Sequence, residues 1–166
     1  GSICILEDFL MKKVIICVLI FLHISALYAQ NSVIVSKKDF KVIVLGSKSD
    51  TLRCYDCAVG VNLGDKQYEG DKRTPEGKFF ISSVEDSKLW AHNFNDGNGT
   101  RPNAYGPYFI RLSTPKWSGI GIHGTCYPES IGTRCSGGCI RLNNDDISDL
   151  IKYVNVGTEV IIEKDI

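Results

Sequence analysis

The sequence shows no excess of charge of either sign. Its 166 residues include 19 Lys and Arg residues and 19 Asp and Glu residues, so the formal net charge is zero at pH 7. Proteins that bind nucleic acids or anionic membranes through electrostatics need a basic surface. The composition therefore gives no electrostatic basis for either partner, and we expect neither.

The sequence also contains only one long apolar run. It covers Val14–Leu22, follows Lys12 and Lys13, and leads into a segment of small residues that ends at Ala29. Basic residues, an apolar stretch and a small-residue end are the three zones of a secretory signal. We predict a signal peptide over residues 11–29 and export to the periplasm or the cell-wall space. The alternative is a buried core helix.

The predicted signal peptide divides the chain into three parts. Residues 1–10 precede Met11 and are interpreted as a cloning scar plus upstream sequence, whereas residues 30–166 form one domain. After Tyr28 no apolar stretch approaches the roughly 20 residues needed to span a bilayer. We therefore expect a monomeric domain that has no membrane attachment once the signal is cleaved. An uncleaved signal would act as an anchor.

Cysteine is sparse beyond residue 29, and its count is odd: Cys54, Cys57, Cys126, Cys135 and Cys139. In an oxidising compartment an odd number leaves a free thiol or an intermolecular bond. Cys54 and Cys57 have redox-motif spacing, but no strand leads into a helix around them, as thioredoxin-like chemistry requires. A structural pair is favoured, yet a regular strand would place the two on opposite faces, so their pairing stays open.

Short apolar runs separated by turn residues dominate the rest of the sequence. Runs such as Phe40–Leu45 and Thr158–Glu163 are typical of a mostly β protein. One segment differs, because apolar residues at i, i+3, i+4 and i+7 predict an amphipathic helix packed on the sheet, with Asn144 as its cap. Those apolar residues are Ile147, Leu150, Ile151 and Val154. Residues 92–104 offer almost nothing to bury and predict a long surface loop.

Histidine is scarce too, since only His92 and His123 follow residue 29. His92 lies in the polar loop. His123 closes the run Gly119–Ile122, whose glycines permit a backbone or a ligand to approach closely. His123 is therefore the better candidate for a catalytic histidine.

A cysteine preceded by two glycines follows His123 in the sequence. Gly137 and Gly138 precede Cys139, and a turn without β-carbons can aim backbone N–H groups at one point beside the sulfur, as an oxyanion hole requires. A thiol is a weak nucleophile near neutral pH unless a neighbouring imidazole stabilises the thiolate, which His123 could do. Arg141 points to the same face as the sulfur in an extended stretch and offers a bidentate site for a substrate carboxylate.

These residues resemble the active-site signature of a known enzyme family. Ile122–Thr125 (Ile-His-Gly-Thr) followed by Ser136–Leu142 (Ser-Gly-Gly-Cys-Ile-Arg-Leu) is similar to the signature of L,D-transpeptidases with the YkuD-type catalytic domain. Arg73–Phe79 resembles the Thr-Pro turn early in that domain, and Tyr105–Tyr108 resembles the segment that enters the strand before the histidine. The resemblance runs from about Phe40 to Glu163.

The resemblance implies a β-sandwich with one amphipathic helix after the catalytic cysteine, and a cysteine transpeptidase that needs no cofactor or metal. Its partners would be the stem peptides of peptidoglycan and, as a possible acceptor, a wall-anchored protein. The implied roles are Cys139 as nucleophile, His123 as base, the Gly124 carbonyl as orienting group, Gly137 and Gly138 as backbone groups at the oxyanion, and Arg141, Ser136 and Tyr108 as substrate contacts. Many family members have His where this chain has Gly137, so any role of that second histidine is absent here.

The remaining cysteines leave two interpretations open. In the implied fold both ends of the loop between Cys126 and Cys135 converge on the active site, which predicts a disulfide between them and a free Cys139. A bond from Cys135 to Cys139 would instead inactivate the enzyme. The rival is a Cys₃His zinc site made by these three thiols and His123, although the ligand spacing is irregular.

Three functions are compatible with the sequence. The first is transpeptidation, and the second is hydrolysis by the same thiol, as an L,D-carboxypeptidase or a peptidase that releases a wall-linked protein. The resemblance of Glu69–Asp71 to family branches with such activity supports the second. The third is a non-enzymatic module that binds the wall. Whether an amine or water accepts the acyl group depends on the shape of the substrate-binding groove.

Overall fold

The computed structural model describes residues 30–166 together with Lys13. The predicted signal peptide, residues 11–29, and the preceding residues 1–10 lie, apart from Lys13, outside the described residues. The compact unit considered below runs from Asn31 to Ile166. Among the described residues no helix is long and apolar enough to cross a membrane.

The described unit consists mainly of strands, with one α-helix and one short 3-10 helix at Pro128–Ser130. The prediction of a mostly β protein is confirmed. The strands are β1 Ser32–Ser36, β2 Lys41–Leu45, β3 Thr51–Gly60, β4 Gly77–Asp86, β5 His92–Asn93, β6 Thr100–Arg101, β7 Tyr108–Leu112, β8 Gly121–His123, β9 Arg134–Ser136, β10 Ile140–Leu142 and β11 Glu159–Ile162.

Nine of these strands form one sheet that closes on itself. The order is β10-β8-β7-β4-β11-β1-β2-β3-β9, and β10 also pairs with β3. This additional antiparallel pairing, with Arg141 opposite Ala58, turns the sheet into a barrel-like ring. The core lies inside this ring because alternate residues of each strand point inward, as Val33 and Val35 do on β1, and Val42 does on β2.

The helix α1 spans Asn144–Leu150 and is shorter than the apolar periodicity predicts. Ile147 and Leu150 are fully buried against the core, as expected. The prediction that Asn144 caps the helix is wrong, because the N-cap is Asn143 and the Asn144 side chain accepts a hydrogen bond from the backbone N–H of Thr125 instead. The helical repeat ends in a turn after Leu150, although Val154 still packs into the core.

The segment 92–104 is more structured than the sequence indicates. It holds the two-stranded ribbon of β5 and β6, in which His92 pairs with Arg101. Phe94 is half-buried and packs against Tyr105 and Tyr127, with ring centroids 6.3 Å and 5.7 Å apart. The rest of the segment is mostly exposed and irregular, in line with the prediction of a surface loop that has almost nothing to bury; its exceptions are the half-buried Phe94 and Arg101 and the buried Ala104.

A buried ion network connects the end of β1 with the C-terminal segment. Lys37 is 1% exposed, and its ammonium lies 2.7 Å from Glu76 Oε1 and 3.3 Å from Asp165 Oδ1. Arg134 also pairs with the Asp165 carboxylate, at 2.5 Å. Buried charges are tolerated only when they are paired and hydrogen-bonded, so this network fixes the segments that carry it.

Candidate active site

Parallel pairing of β8 with β10 brings the predicted histidine and cysteine to one place. Ile140 lies opposite Ile122 and Arg141 lies opposite His123, and Cys139 directly precedes β10. His123 and Cys139 both line a cavity of about 700 Å³. The two residues are far apart in sequence, so their convergence is a product of this strand pairing.

His123 is held in one orientation by its own neighbour in the chain. Its Nδ1 atom lies 2.5 Å from the carbonyl oxygen of Gly124. Because a carbonyl oxygen can only accept, Nδ1 carries the hydrogen and donates it, and the lone pair is left on Nε2. The predicted role of the Gly124 carbonyl as orienting group has the geometry it requires.

Two aromatic rings enclose the imidazole of His123. Phe109 stacks on it at 5.2 Å between centroids with an angle of 8° between the planes. Tyr105 meets it edge-on at 4.9 Å and 76°. Burial lowers the pKa of His123 to about 3, while the Gly124 hydrogen bond acts in the opposite direction and the charge of Arg141 lowers it further. The imidazole is therefore neutral near pH 7 and available as a proton acceptor.

The peptide group between Gly124 and Thr125 is fixed from both sides. Its carbonyl accepts from His123, and its N–H donates to Asn144 Oδ1 at 2.9 Å. Gly106 packs so closely that a β-carbon on it would lie 2.6 Å from the Gly124 α-carbon. The sequence analysis missed Asn144 as a site residue because the pattern around it favours a helix cap.

Cys139 is partly buried and its thiol is protonated in the arrangement observed. The Sγ–H group donates to the carbonyl oxygen of Gly119 at 3.2 Å. Burial raises the pKa of this thiol, whereas a backbone hydrogen bond from Gly121 and the charge of Arg141 lower it. A neutral thiol and a neutral imidazole that line the same cavity mean that proton transfer has to accompany nucleophilic attack.

The turn before Cys139 is held together by the hydroxyl of Ser136. This hydroxyl donates to the Cys139 carbonyl at 2.5 Å and accepts from the Gly138 N–H at 3.1 Å. Ser136 was predicted to contact substrate and the Gly138 N–H to bind the oxyanion, but both groups are engaged within the turn. Ser136 is buried and lines the cavity, but both hydrogen bonds of its hydroxyl are made to backbone groups of the turn.

The two glycines of this turn differ in their surroundings. Gly138 has a φ of 140°, and a β-carbon on it would lie 2.8 Å from the Arg73 carbonyl oxygen. A β-carbon on Gly137 would meet no atom within 4 Å. Glycine is therefore required at position 138, whereas position 137 opens into the cavity that Cys139 lines.

Arg141 extends a buried guanidinium along the cavity. Its Nη1 atom lies 3.7 Å from Cys135 Sγ, and its Cζ lies 4.9 Å from the centroid of Phe94. None of the ion pairs among the described residues includes Arg141. A buried guanidinium without an acidic partner is suited to bind an anionic ligand.

Tyr108 is not among the residues that line the cavity. It is half-buried on β7, packs against the core and carries the ammonium of Lys88 over its ring at 5.6 Å. The prediction that Tyr108 contacts substrate in this cavity is therefore not supported by the geometry. Tyr105, in the segment before β7, lines the cavity instead. Tyr105 lies in the turn before β7, where no strand periodicity predicts the direction of its side chain.

The remaining cysteines show neither of the arrangements considered above. Cys54, Cys57, Cys126, Cys135 and Cys139 are all free thiols in the structure. The predicted disulfide between Cys126 and Cys135 is therefore not observed, and the Cys135 sulfur contacts the Arg141 guanidinium. Within residues 30–166 no three His, Cys, Asp or Glu side chains are grouped as a metal site, so the zinc alternative lacks a ligand cluster.

Comparison with known proteins decides the family. The family model described as the L,D-transpeptidase catalytic domain, YkuD, matches residues 30–162. The chain belongs to the YkuD family of L,D-transpeptidase catalytic domains. This family assignment confirms the resemblance drawn from the histidine and cysteine motifs.

Curated relatives of this YkuD-family chain are named as L,D-transpeptidases. YkuD of Bacillus subtilis (strain 168) is 32% identical over 124 residues, which cover 75% of this chain and 61% of that protein. YqjB of the same organism is 35% identical over 97 residues, which cover 57% and 54%. YcfS of Escherichia coli (strain K12) is 44% identical over 113 residues, which cover 59% and 35%. The chain thus spans only part of the length of each relative.

Solved structures share the fold of this YkuD-family domain. An L,D-transpeptidase from Mycobacterium smegmatis superimposes with a TM-score of 0.60 at 19% identity, covering 81% of this chain and 58% of that one. An LD transpeptidase in complex with imipenem gives a TM-score of 0.58 at 21% identity, with coverage of 80% and 58%. The mostly β, barrel-like architecture is therefore the L,D-transpeptidase fold.

Proposed function

We propose that this chain is a cysteine L,D-transpeptidase that acts on the stem tetrapeptides of peptidoglycan through a thioester on Cys139. The observation that carries the proposal is a nucleophile and a base in one cavity, with the base in a single usable tautomer. The Nδ1–H of His123 is bound to the Gly124 carbonyl, so that only Nε2 can take a proton. Family membership supports the same assignment.

The proposed reaction has two halves that both use His123. In the first, Cys139 Sγ attacks the carbonyl before the terminal D-residue while Nε2 takes the thiol proton. The carbon–nitrogen bond then breaks, the imidazolium gives its proton to the departing amine, and a thioester remains. In the second, an acceptor amine attacks the thioester and loses a proton to Nε2, which returns it to the departing sulfur. The Gly124 carbonyl stabilises the imidazolium in each half.

Arg141 supplies a positive charge for the donor peptide. Arg141 is 7% exposed, lines the cavity and has no acidic partner within the described part of the chain. A peptide carboxylate would fill that place with a charge-assisted hydrogen bond. We propose that Arg141 binds one carboxylate of the donor and so aligns the scissile carbonyl with Cys139.

The setting of the reaction follows from the proposed substrate. Peptidoglycan lies outside the cytoplasmic membrane, and the three zones of residues 11–29 have the pattern of an export signal. We therefore propose that the domain works in the periplasm or the cell-wall space. The amine of a second stem peptide or of a wall-anchored protein is the proposed acceptor.

Acylation by imipenem tests the nucleophile directly, because imipenem occupies a structurally similar LD transpeptidase. We expect the mass of the protein to increase by that of one imipenem, with the modification on Cys139. Cys139→Ala should remain unmodified, and Cys135→Ala is the matched control because it removes the neighbouring cavity thiol. An adduct that persists in Cys139→Ala and disappears in Cys135→Ala would refute the assignment.

Replacement of the base tests the mechanism. His123→Ala should slow acylation by about 10²–10⁴-fold, the usual contribution of a general base. Circular dichroism checks that the fold is retained. Acylation at the wild-type rate in a folded variant would exclude His123 as the base.

The products from a purified disaccharide-tetrapeptide decide the acceptor. A cross-linked dimer in the mass spectrum would support transpeptidation. A tripeptide without dimer would identify a hydrolase that uses the same thiol, and an unchanged substrate would favour a module that only binds the wall.

A further inference from the structure

A second buried cation lines the same cavity as Cys139 and Arg141. Lys66 is 4% exposed, although it lies in a turn between β3 and β4 where lysine is normally solvated. Its ammonium donates to Asp71 Oδ1 at 2.9 Å and sits 5.5 Å from the ring centroid of Trp117. Asp71 is 5% exposed, so the lysine and its carboxylate partner are buried together.

Asp71 is organised to hold this lysine in place. Besides Lys66, its carboxylate accepts the backbone N–H groups of Gln67 at 2.7 Å, Tyr68 at 3.3 Å and Arg73 at 3.0 Å. Burial alone would raise the pKa of Asp71, but these hydrogen bonds and that of Lys66 outweigh it and lower the pKa. The carboxylate is therefore charged, saturated with donors and rigid, so it fixes the ammonium at the cavity wall.

The ammonium of Lys66 keeps unused donor capacity. It carries three N–H groups, and Asp71 is the one hydrogen-bond acceptor that the structure gives it among the described residues. Glu69, an acidic residue that also lines the cavity, accepts the Ser118 N–H at 3.3 Å with its carboxylate and does not pair with Lys66. Buried donors without acceptors are costly, so this position is suited to an anionic ligand group.

We propose that Lys66 binds a second carboxylate of the acyl donor, one that lies before the scissile carbonyl, while Arg141 binds another. The cavity places two buried cations from different segments beside one nucleophile, since Lys66 comes from the turn packed on Trp117 and Arg141 from β10 packed on Phe94. The preferred substrate is accordingly a stem peptide with free carboxylates rather than an amidated one. This inference rests on the proposed function.

The test compares three stem tetrapeptides that differ in one group. One has all carboxylates free, one is amidated on its γ-linked glutamate, and one is amidated on the side-chain carboxylate of its diaminopimelate. Release of the terminal D-residue gives kcat/KM for each peptide. We expect the wild type to disfavour one amide by about 10- to 100-fold, the size of one charge-assisted hydrogen bond.

Lys66→Met should abolish that preference, because kcat/KM for the peptide with free carboxylates falls towards that for the disfavoured amide. Because this variant leaves Asp71 buried without its counter-ion and can impair folding, the double variant Lys66→Met with Asp71→Asn is measured beside it. Lys72→Met is the matched control, since Lys72 is an exposed lysine beside the same cavity and should keep the wild-type preference. A wild type that does not distinguish the peptides, or a preference that survives in the folded double variant, would overturn the proposal.

A different outcome of the same experiment tests the proposed function itself. If the wild type releases the D-residue from none of the peptides, the transpeptidase assignment is refuted. The carboxylate site is then decided by calorimetric binding of the same peptides to Cys139→Ala with and without the Lys66→Met change. Weaker binding of one amide only when Lys66 is present supports the site, and equal dissociation constants refute it.

Discussion

Acid should destabilise this protein through the buried imidazole of His123. In the folded chain the pKa of His123 is lowered to about 3, whereas the ordinary value of 6.5 applies once the chain unfolds. Between these two values the unfolded state binds more protons than the folded state. The free energy of unfolding therefore falls as the pH drops below 6.5, and the contribution is fully present above that pH.

The magnitude follows from the two pKa values. At pH 4.5 the imidazole is protonated in the unfolded chain and neutral in the folded chain. This pH lies two units below the unfolded pKa of 6.5, and each unit lowers the free energy of unfolding by about 1.4 kcal/mol. The wild type should thus lose about 3 kcal/mol between pH 7.5 and pH 4.5 through this one residue. Urea unfolding at both pH values measures the loss, and His123→Gln, which cannot titrate, is the reference.

The comparison with His123→Gln removes the effect of other groups. Asp71 and Asp165 also have lowered pKa values, so both proteins lose stability in acid as these carboxylates are protonated. Only the additional loss in the wild type belongs to His123. An equal loss of stability in both proteins would show that the imidazole is not held neutral by burial.

Two further predictions concern the groups around the site, and a third concerns the buried ion network. Gly138→Ala should abolish acylation by imipenem because its β-carbon would meet the Arg73 carbonyl, whereas Gly137→Ala should acylate at the wild-type rate; mass spectrometry over time distinguishes them. Asn144→Ala should lower kcat by up to about 100-fold with little change in KM, because the peptide that orients His123 loses its second anchor, and Asn144→Asp should restore part of it. An unchanged ¹⁵N signal of the His123 ring in Asn144→Ala would contradict this role. Lys37→Met should reduce the free energy of unfolding by about 3 kcal/mol in urea, and a smaller loss than that of an exposed Lys41→Met would refute the buried network.

The chemistry of the site was more predictable from the sequence than its geometry. His123 stands in one short motif and Cys139 and Arg141 in a second, and their residue types alone limit what they can do. The mostly β class was also predictable, because strand-length apolar runs between turn residues leave little room for helices. Each of these inferences depends on local information.

What the sequence did not show depends on contacts between distant segments. Asn144 reaches Thr125 and Lys66 is buried only because the closed sheet brings loops together, and no periodicity encodes such contacts. Tyr105, and not the predicted Tyr108, lines the cavity, and nothing in the local pattern reveals which of these two tyrosines faces it. The helix cap was misplaced for the same reason, since Asn143 and Asn144 are both good capping residues.

The position of β11 determines when the ring can close during folding. This strand, Glu159–Ile162, lies between β1 and β4 and pairs with both, in parallel to the first and antiparallel to the second. A nascent chain that lacks Glu159–Ile162 leaves one edge of β1 and one edge of β4 unpaired. The first three strands then cannot join β4 at the position that β11 occupies in the folded sheet. Closure over so long a sequence separation is entropically slow. A chain cut before Glu159 would therefore expose β1 and β4 to pairing with other chains, and aggregation rather than loss of catalysis would be its first symptom.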